Sequence, residues 1–152
     1  MNSVTVVNES GAVCDLDALT DLAEHLLTAL RLHPDCELGI TLVDVERMTT
    51  LHEDWMNEPG PTDVLSFPID EVRSAAPGEP PRPGILGDIV LCPAYAAAQA
   101  AAAGRTIDEE LQFLTTHGML HLIGHDHQSP EEYDAMFALQ DMVLAGWQAG
   151  RP

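Results

Sequence analysis

The sequence predicts an α/β (α+β) fold, a single domain in which a mixed, mostly parallel sheet is flanked by helices. Three observations carry that expectation. Short β-branched or apolar runs of strand length alternate with longer stretches whose apolar residues recur every three or four positions. A strand, an amphipathic helix and a second strand stand in succession near the N-terminus, which is the pattern of a parallel βαβ unit with a right-handed crossover. The chain of 152 residues is 45% hydrophobic and 20% charged, as in one ordinary soluble domain. A domain of this size buries roughly two-thirds of the surface its unfolded chain exposes, so neither disulfides nor a metal are needed to hold the core. Any metal is free to serve chemistry.

Each element has its own signal. Val4 to Val7 is a β-branched run closed by the turn residues Asn8-Glu9-Ser10-Gly11. Asp15 opens a helix in which Leu16, Leu19, Leu22, Ala23, Leu26, Leu27 and Leu30 share one face, running to Leu32 and stopped by His33-Pro34. A strand is expected at Glu37 to Val43 and a shorter helix at Val45 to Trp55, broken by Asn57-Glu58-Pro59-Gly60-Pro61. Strands follow at Val64 to Phe67 and Ile85 to Leu91. Between them, residues 74–84 are too rich in Pro and Gly for a regular ladder and read as a flexible hairpin loop within the domain 1–152. Pro93 suits a first helical turn ahead of the alanine-rich run Ala94 to Ala103, which Gly104 stops. Thr106-Ile107-Asp108-Glu109 and Ser129-Pro130-Glu131-Glu132 have the capping-box form, so each begins a further helix.

With 25 acidic and 6 basic residues the formal net charge is −19, and all six basic residues are arginine. Bulk attraction to phosphates is thereby excluded; a nucleic-acid ligand needs a local arginine patch, a bound cation or a partner protein. Cys14, Cys36 and Cys92 are odd in number and form no C-x-x-C pair, which argues against a disulfide-linked partner or a cysteine zinc site and favours the cytoplasm. No apolar stretch reaches the roughly 18 residues of a membrane span, and Met1-Asn2-Ser3-Val4-Thr5 has no basic segment ahead of a long apolar one, so neither membrane insertion nor export is expected.

Four of the seven histidines fall within His117-Gly118-Met119-Leu120-His121-Leu122-Ile123-Gly124-His125-Asp126-His127. On a helix, His117 and His121 are four apart and project from one face. Gly124 accepts the left-handed conformation that ends a helix, so the chain reverses there and brings His127 toward the same point. Three neutral imidazoles with a fourth position open is the catalytic zinc arrangement, placed here at the end of a helix in the C-terminal half. The site calls for one zinc ion, although imidazole suits other first-row divalent ions as well. Written as H-x-x-x-H-x-x-G-x-x-H, the spacing is that of the metzincin proteases, but Gly118 occupies the place of their catalytic glutamate. His125 is expected on the cleft wall or the surface, Asp126 as a solvated turn carboxylate or, alternatively, orienting a ligand imidazole, and His25, His33 and His52 in packing or surface roles.

The second unusual stretch is Pro61-Thr62-Asp63-Val64-Leu65-Ser66-Phe67-Pro68. Alternation puts Val64 and Ser66 on one sheet face with Leu65 and Phe67 on the other. The strand reads either as a plain edge strand between prolines or as the rim of the metal cleft, with the Ser66 hydroxyl and a strand edge available to substrate.

At these segments, and at Leu86-Gly87-Asp88-Ile89-Val90, the sequence resembles the YbeY family of bacterial metal-dependent endoribonucleases. The resemblance covers essentially the whole chain. It implies an α/β fold, one zinc ion on His117, His121 and His127, and cleavage of single-stranded RNA in maturation of the 3′ end of small-subunit ribosomal RNA and in ribosome quality control. It also implies partners among ribosomal RNA, small-subunit components and an RNA-binding GTPase; as the cleft rim, Thr62, Asp63 and Ser66 are the expected substrate contacts. No side chain is assigned the catalytic step, which falls to a metal-bound water, with Ser66 and Asp126 as secondary candidates. One departure stands out: the family's usual arginine before the Thr62 motif is replaced by Met56, with Arg73, Arg82 and Arg105 as possible substitutes. The competing readings are a non-catalytic, metal-stabilised ribosome-assembly factor and a metzincin-like metalloprotease.

Overall fold

The computed structural model describes residues 3–125 and 129–150. Its elements follow in the order β1 (Val4–Asn8), α1 (Leu16–Ala29), β2 (Glu37–Leu42), α2 (Val45–Met56), β3 (Val64–Pro68), β4 (Ile85–Leu91), α3 (Pro93–Ala103), α4 (Ile107–Leu122) and α5 (Pro130–Ala149). The strands form one sheet in the order β1-β2-β4-β3, with β1–β2 and β2–β4 parallel and β3–β4 antiparallel. The expected α/β (α+β) architecture with a mixed, mostly parallel sheet is therefore the observed one. None of the helices among the described residues is long and apolar enough to cross a membrane.

Helix α1 differs from expectation, ending at Ala29 rather than Leu32. The cause is local: Arg31 adopts φ 55°, and Leu32 N–H donates to Leu27 O at 2.8 Å, closing the helix before the His33-Pro34 stop is reached. Leu30 and Leu32 are buried all the same. The long β3–β4 connection carries no strand or helix, and it is tied to this corner at Ala75, whose N–H donates to Arg31 O at 3.0 Å while its carbonyl accepts from Arg31 Nε at 2.7 Å.

Pleat and register give the sheet two unlike faces. Leu38, Ile40 and Leu42 of β2 and Ile89 and Leu91 of β4 point into the main core, which they share with Leu19, Leu22 and Leu26 of α1, Leu111, Met119 and Leu120 of α4, and Met136 and Trp147 of α5. On the opposite face Met48 and Leu51 of α2 rest on Leu65, Val90 and Phe67 in a second, smaller cluster. Strand β3 is at an edge, so one of its backbone edges is unpaired within the sheet.

Helix α4 is fixed at both ends. Thr106 Oγ1 accepts from Glu109 N–H at 3.1 Å and Glu109 Oε1 accepts from Thr106 N–H at 2.9 Å, the reciprocal capping box anticipated from sequence. At the far end Gly124 N–H donates to His121 O at 3.0 Å and His125 N–H to Leu120 O at 2.9 Å, with Gly124 at φ +95°. This is a Schellman closure, and it ends α4 at the glycine marked by the sequence.

Candidate metal centre

The two imidazoles of α4 converge. His117 Nε2 and His121 Nε2 are 3.0 Å apart, with ring centroids 4.6 Å apart and planes at 76°. Two nitrogens bound at 2.0–2.1 Å to a tetrahedral zinc lie about 3.3 Å from each other, so the pair needs only a slight opening to share one ion.

Helix α5 sets the orientation of the first ring. His117 Nδ1–H donates to Gln140 Oε1 at 2.9 Å, and Gln140 is fully buried. The Gln140 amide is itself oriented by its Nε2–H donating to Phe113 O at 3.5 Å, and Phe137 packs on the His117 ring at 5.5 Å between centroids. With the proton held on Nδ1, the Nε2 lone pair of His117 faces the cleft, which is the form a metal ligand must take. Sequence reasoning missed Gln140. Its signal was a glutamine among Met136, Val143, Leu144 and Trp147, the buried stripe of α5.

Gly118 explains the missing glutamate. It faces the sheet, and a Cβ there would lie 3.1 Å from Ser66 Oγ and 3.2 Å from both Ile89 Cδ1 and Ile89 Cγ2. Helix α4 packs so closely on β3 and β4 that any side chain at this position must displace Ser66 and Ile89. Packing as well as sequence therefore disfavours the base of a metzincin protease.

A cleft of about 480 Å³ borders the histidine pair, lined by His117, His121, Asp63, Ser66, Pro68 and Met56. Of the three residues expected to contact substrate, Asp63 and Ser66 line it and Thr62 does not; Thr62 Oγ1 instead donates to Asp63 Oδ1 at 3.2 Å. That same oxygen accepts from Val64 N–H at 2.7 Å, so Asp63 fixes the entry into β3. The Ser66 hydroxyl donates to Gly118 O at 3.3 Å, tethering the strand to α4 with its proton committed to a backbone carbonyl. Asp126 and His127 lie outside the described residues.

Met56 lines the cleft where the family's arginine is expected. Of the three substitutes, Arg73 is beside the α4 turn: a Cβ on Gly124 would lie 2.6 Å from its Cζ. Burial, and secondarily the Arg73 charge, hold the half-buried His125 below its ordinary pKa. Arg105 pairs with the buried Glu110 at 2.7 Å and stacks on Phe113, while Arg82 stays in the β3–β4 loop. His52 has a structural role, with Nδ1 2.9 Å from Gly60 O and Nε2 3.3 Å from Glu58, which ties down the loop after α2.

Comparison with known proteins adds a consistent result. A family model described as Endoribonuclease YbeY matches residues 6–148. The chain is similar to Endoribonuclease YbeY of Thermobifida fusca (strain YX), 56% identical over 146 residues covering 96% of this chain and 94% of the relative. It is also similar to Endoribonuclease YbeY of Beutenbergia cavernae, 52% identical over 149 residues covering 98% and 99%. The solution structure of TM1509 from Thermotoga maritima shares the fold, with a TM-score of 0.60 over 96% of this chain and 92% of that one at 24% identity.

Proposed function

The chain belongs to the YbeY endoribonuclease family, and from that premise we propose that it is a zinc-dependent hydrolase of single-stranded RNA acting on the 3′ end of small-subunit ribosomal RNA and in ribosome quality control. The observation that carries the metal dependence is the 3.0 Å approach of His117 Nε2 and His121 Nε2 beside an open cleft. Neutral nitrogen donors and no thiolate are the donor set of a catalytic zinc site. His117 and His121 would hold the ion, with His127 as third ligand by the spacing of the motif.

When bound, the ion supplies Lewis-acid polarisation of a phosphodiester and water acidic enough to ionise near neutral pH. The chain's own residues do the rest. Gln140 keeps the proton of His117 on Nδ1, away from the cleft. Asp63 places a carboxylate on the cleft wall and fixes the start of β3, whose edge and Ser66 tether form the rim. The Gly124 closure fixes where the chain leaves α4.

The test is incubation with single-stranded RNA and, separately, with denatured protein, followed by mapping of product ends. RNA cleavage with the denatured protein left intact is expected. Cleaved peptide bonds with intact RNA would overturn the reading. A 2′,3′-cyclic phosphate on the product would identify the ribose 2′-hydroxyl, rather than water, as nucleophile. In cells, His117→Ala should leave ribosome association intact and cause the 3′ end of small-subunit RNA to accumulate unprocessed. Normal processing in that variant would favour a purely structural role in ribosome assembly.

A further inference from the structure

We propose that the groove between α2 and the open face of the sheet is a base-stacking channel for single-stranded RNA, with Trp55 and Phe67 as its stacking surfaces and Arg47 as its phosphate contact. This deepens the endoribonuclease reading and rests on it.

The groove has a volume of about 780 Å³ and adjoins the histidine cleft across edge strand β3, with Met56, Ser66 and Pro68 lining both. A strand held at the metal centre can therefore pass over the edge of β3 and into the groove. Trp55 is 68% exposed, an unusual state for the largest apolar side chain, and it meets Phe67 edge-on at 6.0 Å between centroids and 74° between planes. Most of the Trp55 side chain is therefore open to solvent, and Met56 beside it is 42% exposed. An exposed aromatic ring beside a groove is how sequence-tolerant single-strand binders hold a base, because every base offers a flat π surface; the half-buried Phe67 lines the same groove.

Charge fixes which side of the strand faces inward. Arg47 lines the groove and has no ion pair among the described residues, so its guanidinium is available to one phosphate. Glu9 and Asp88 line it as well and repel phosphate, while carboxylates accept hydrogen bonds from the exocyclic amines of bases. A strand lying here turns its bases to the sheet and its backbone to solvent. Duplex RNA, whose bases are stacked on one another, is excluded. Stacking also supplies affinity that a chain of net charge −19 cannot obtain from bulk electrostatics.

The experiment measures binding of fluorescein-labelled ten-nucleotide oligoadenylate and of a hairpin duplex to the zinc-loaded protein and to its Trp55→Ala, Trp55→Phe and Arg47→Gln variants, by anisotropy and by tryptophan quenching. Trp147 is buried with its Nε1–H on Asp21 at 2.9 Å, so quenching by RNA reports Trp55. Trp55→Ala should weaken oligoadenylate binding about tenfold or more. Trp55→Phe should restore most of that loss, and Arg47→Gln should reduce the salt dependence by about one phosphate contact. Unquenched Trp55 fluorescence, equal affinity in Trp55→Ala, preference for the duplex, or quenching by an unfolded peptide in place of RNA would each overturn the channel. If the wild-type protein cleaves RNA in any of these cases, the endoribonuclease reading stands while the channel falls; if it neither binds nor cleaves RNA, both fall.

Discussion

Replacing Gln140 by Leu removes the acceptor of His117 Nδ1–H and nearly preserves side-chain volume. The lost contact is 2.9 Å long and reaches a fully buried residue, so the half-buried imidazole N–H is left without that partner. A buried donor stripped of its acceptor costs about 1–3 kcal/mol. The bond from Gln140 Nε2 to Phe113 O is at the 3.5 Å limit and adds little. For a domain of this size that cost lowers Tm by about 2–4 °C per kcal/mol. The larger effect is on metal binding. Without Gln140 the proton of His117 is free to sit on Nε2, the nitrogen that faces the cleft, and the loss of such a supporting contact weakens metal affinity about 10–100-fold, or about 1.4–2.7 kcal/mol. Competition against a zinc-chelating dye measures this directly, with Gln140→Glu, which keeps an acceptor at the same place, as the comparison. Zinc affinity of Gln140→Leu equal to wild type, in a variant that is folded by circular dichroism, would refute the orienting role.

Further outcomes follow from the packing of α4. Gly118→Ala gains about 1 kcal/mol in helix propensity but presses on Ser66 Oγ and Ile89 at 3.1–3.2 Å; overpacking of about 1–3 kcal/mol outweighs the gain, so chemical denaturation should show a net loss of up to about 2 kcal/mol. Gly118→Glu, which restores the metzincin pattern, should yield misfolded protein rather than a protease, as a solubility and casein-digestion assay would show. Thr106→Ala removes the capping box of α4 and should cost about 1 kcal/mol at neutral pH. Because the Thr106 backbone N–H and hydroxyl hold the Glu109 carboxyl below its ordinary pKa, that part of the stabilisation is present above the usual carboxylate value and is lost as pH falls through the lowered one. Because the Thr106 backbone N–H remains in the variant, only the hydroxyl's share is lost with the carboxylate charge, so the gap between wild type and variant should narrow in acid without closing, and a gap that widens in acid would contradict the cap.

Much of the fold was legible because local signals agreed with one another. Asp15, Asp44, Thr106 and Ser129 each cap the helix that follows them, with a side-chain oxygen accepting from the backbone three residues on. The alternation in β3 correctly separated Ser66, which meets α4, from Leu65 and Phe67, which meet α2, and the i, i+4 spacing brought His117 and His121 together. The end of α1 was misread because Pro34 is a strong stop signal, while the left-handed Arg31 that closes the helix has no mark in its residue type. What long-range packing alone decides was not legible. Gln140 meets His117 across 23 positions, Ser66 meets Gly118 across 52, and Arg73 reaches the Gly124 turn from another loop. The open groove under Trp55 likewise depends on how α2 rests on the sheet.

The most direct test of the central claim is the rate of single-stranded RNA cleavage by the purified protein, followed as its metal is removed by a chelator and returned as zinc. Cleavage should disappear with the metal, return with one equivalent of zinc, and not return in His121→Ala. An undiminished rate in metal-free protein, or full zinc-restored activity in His121→Ala, would contradict the claim that the paired imidazoles of α4 organise the chemistry.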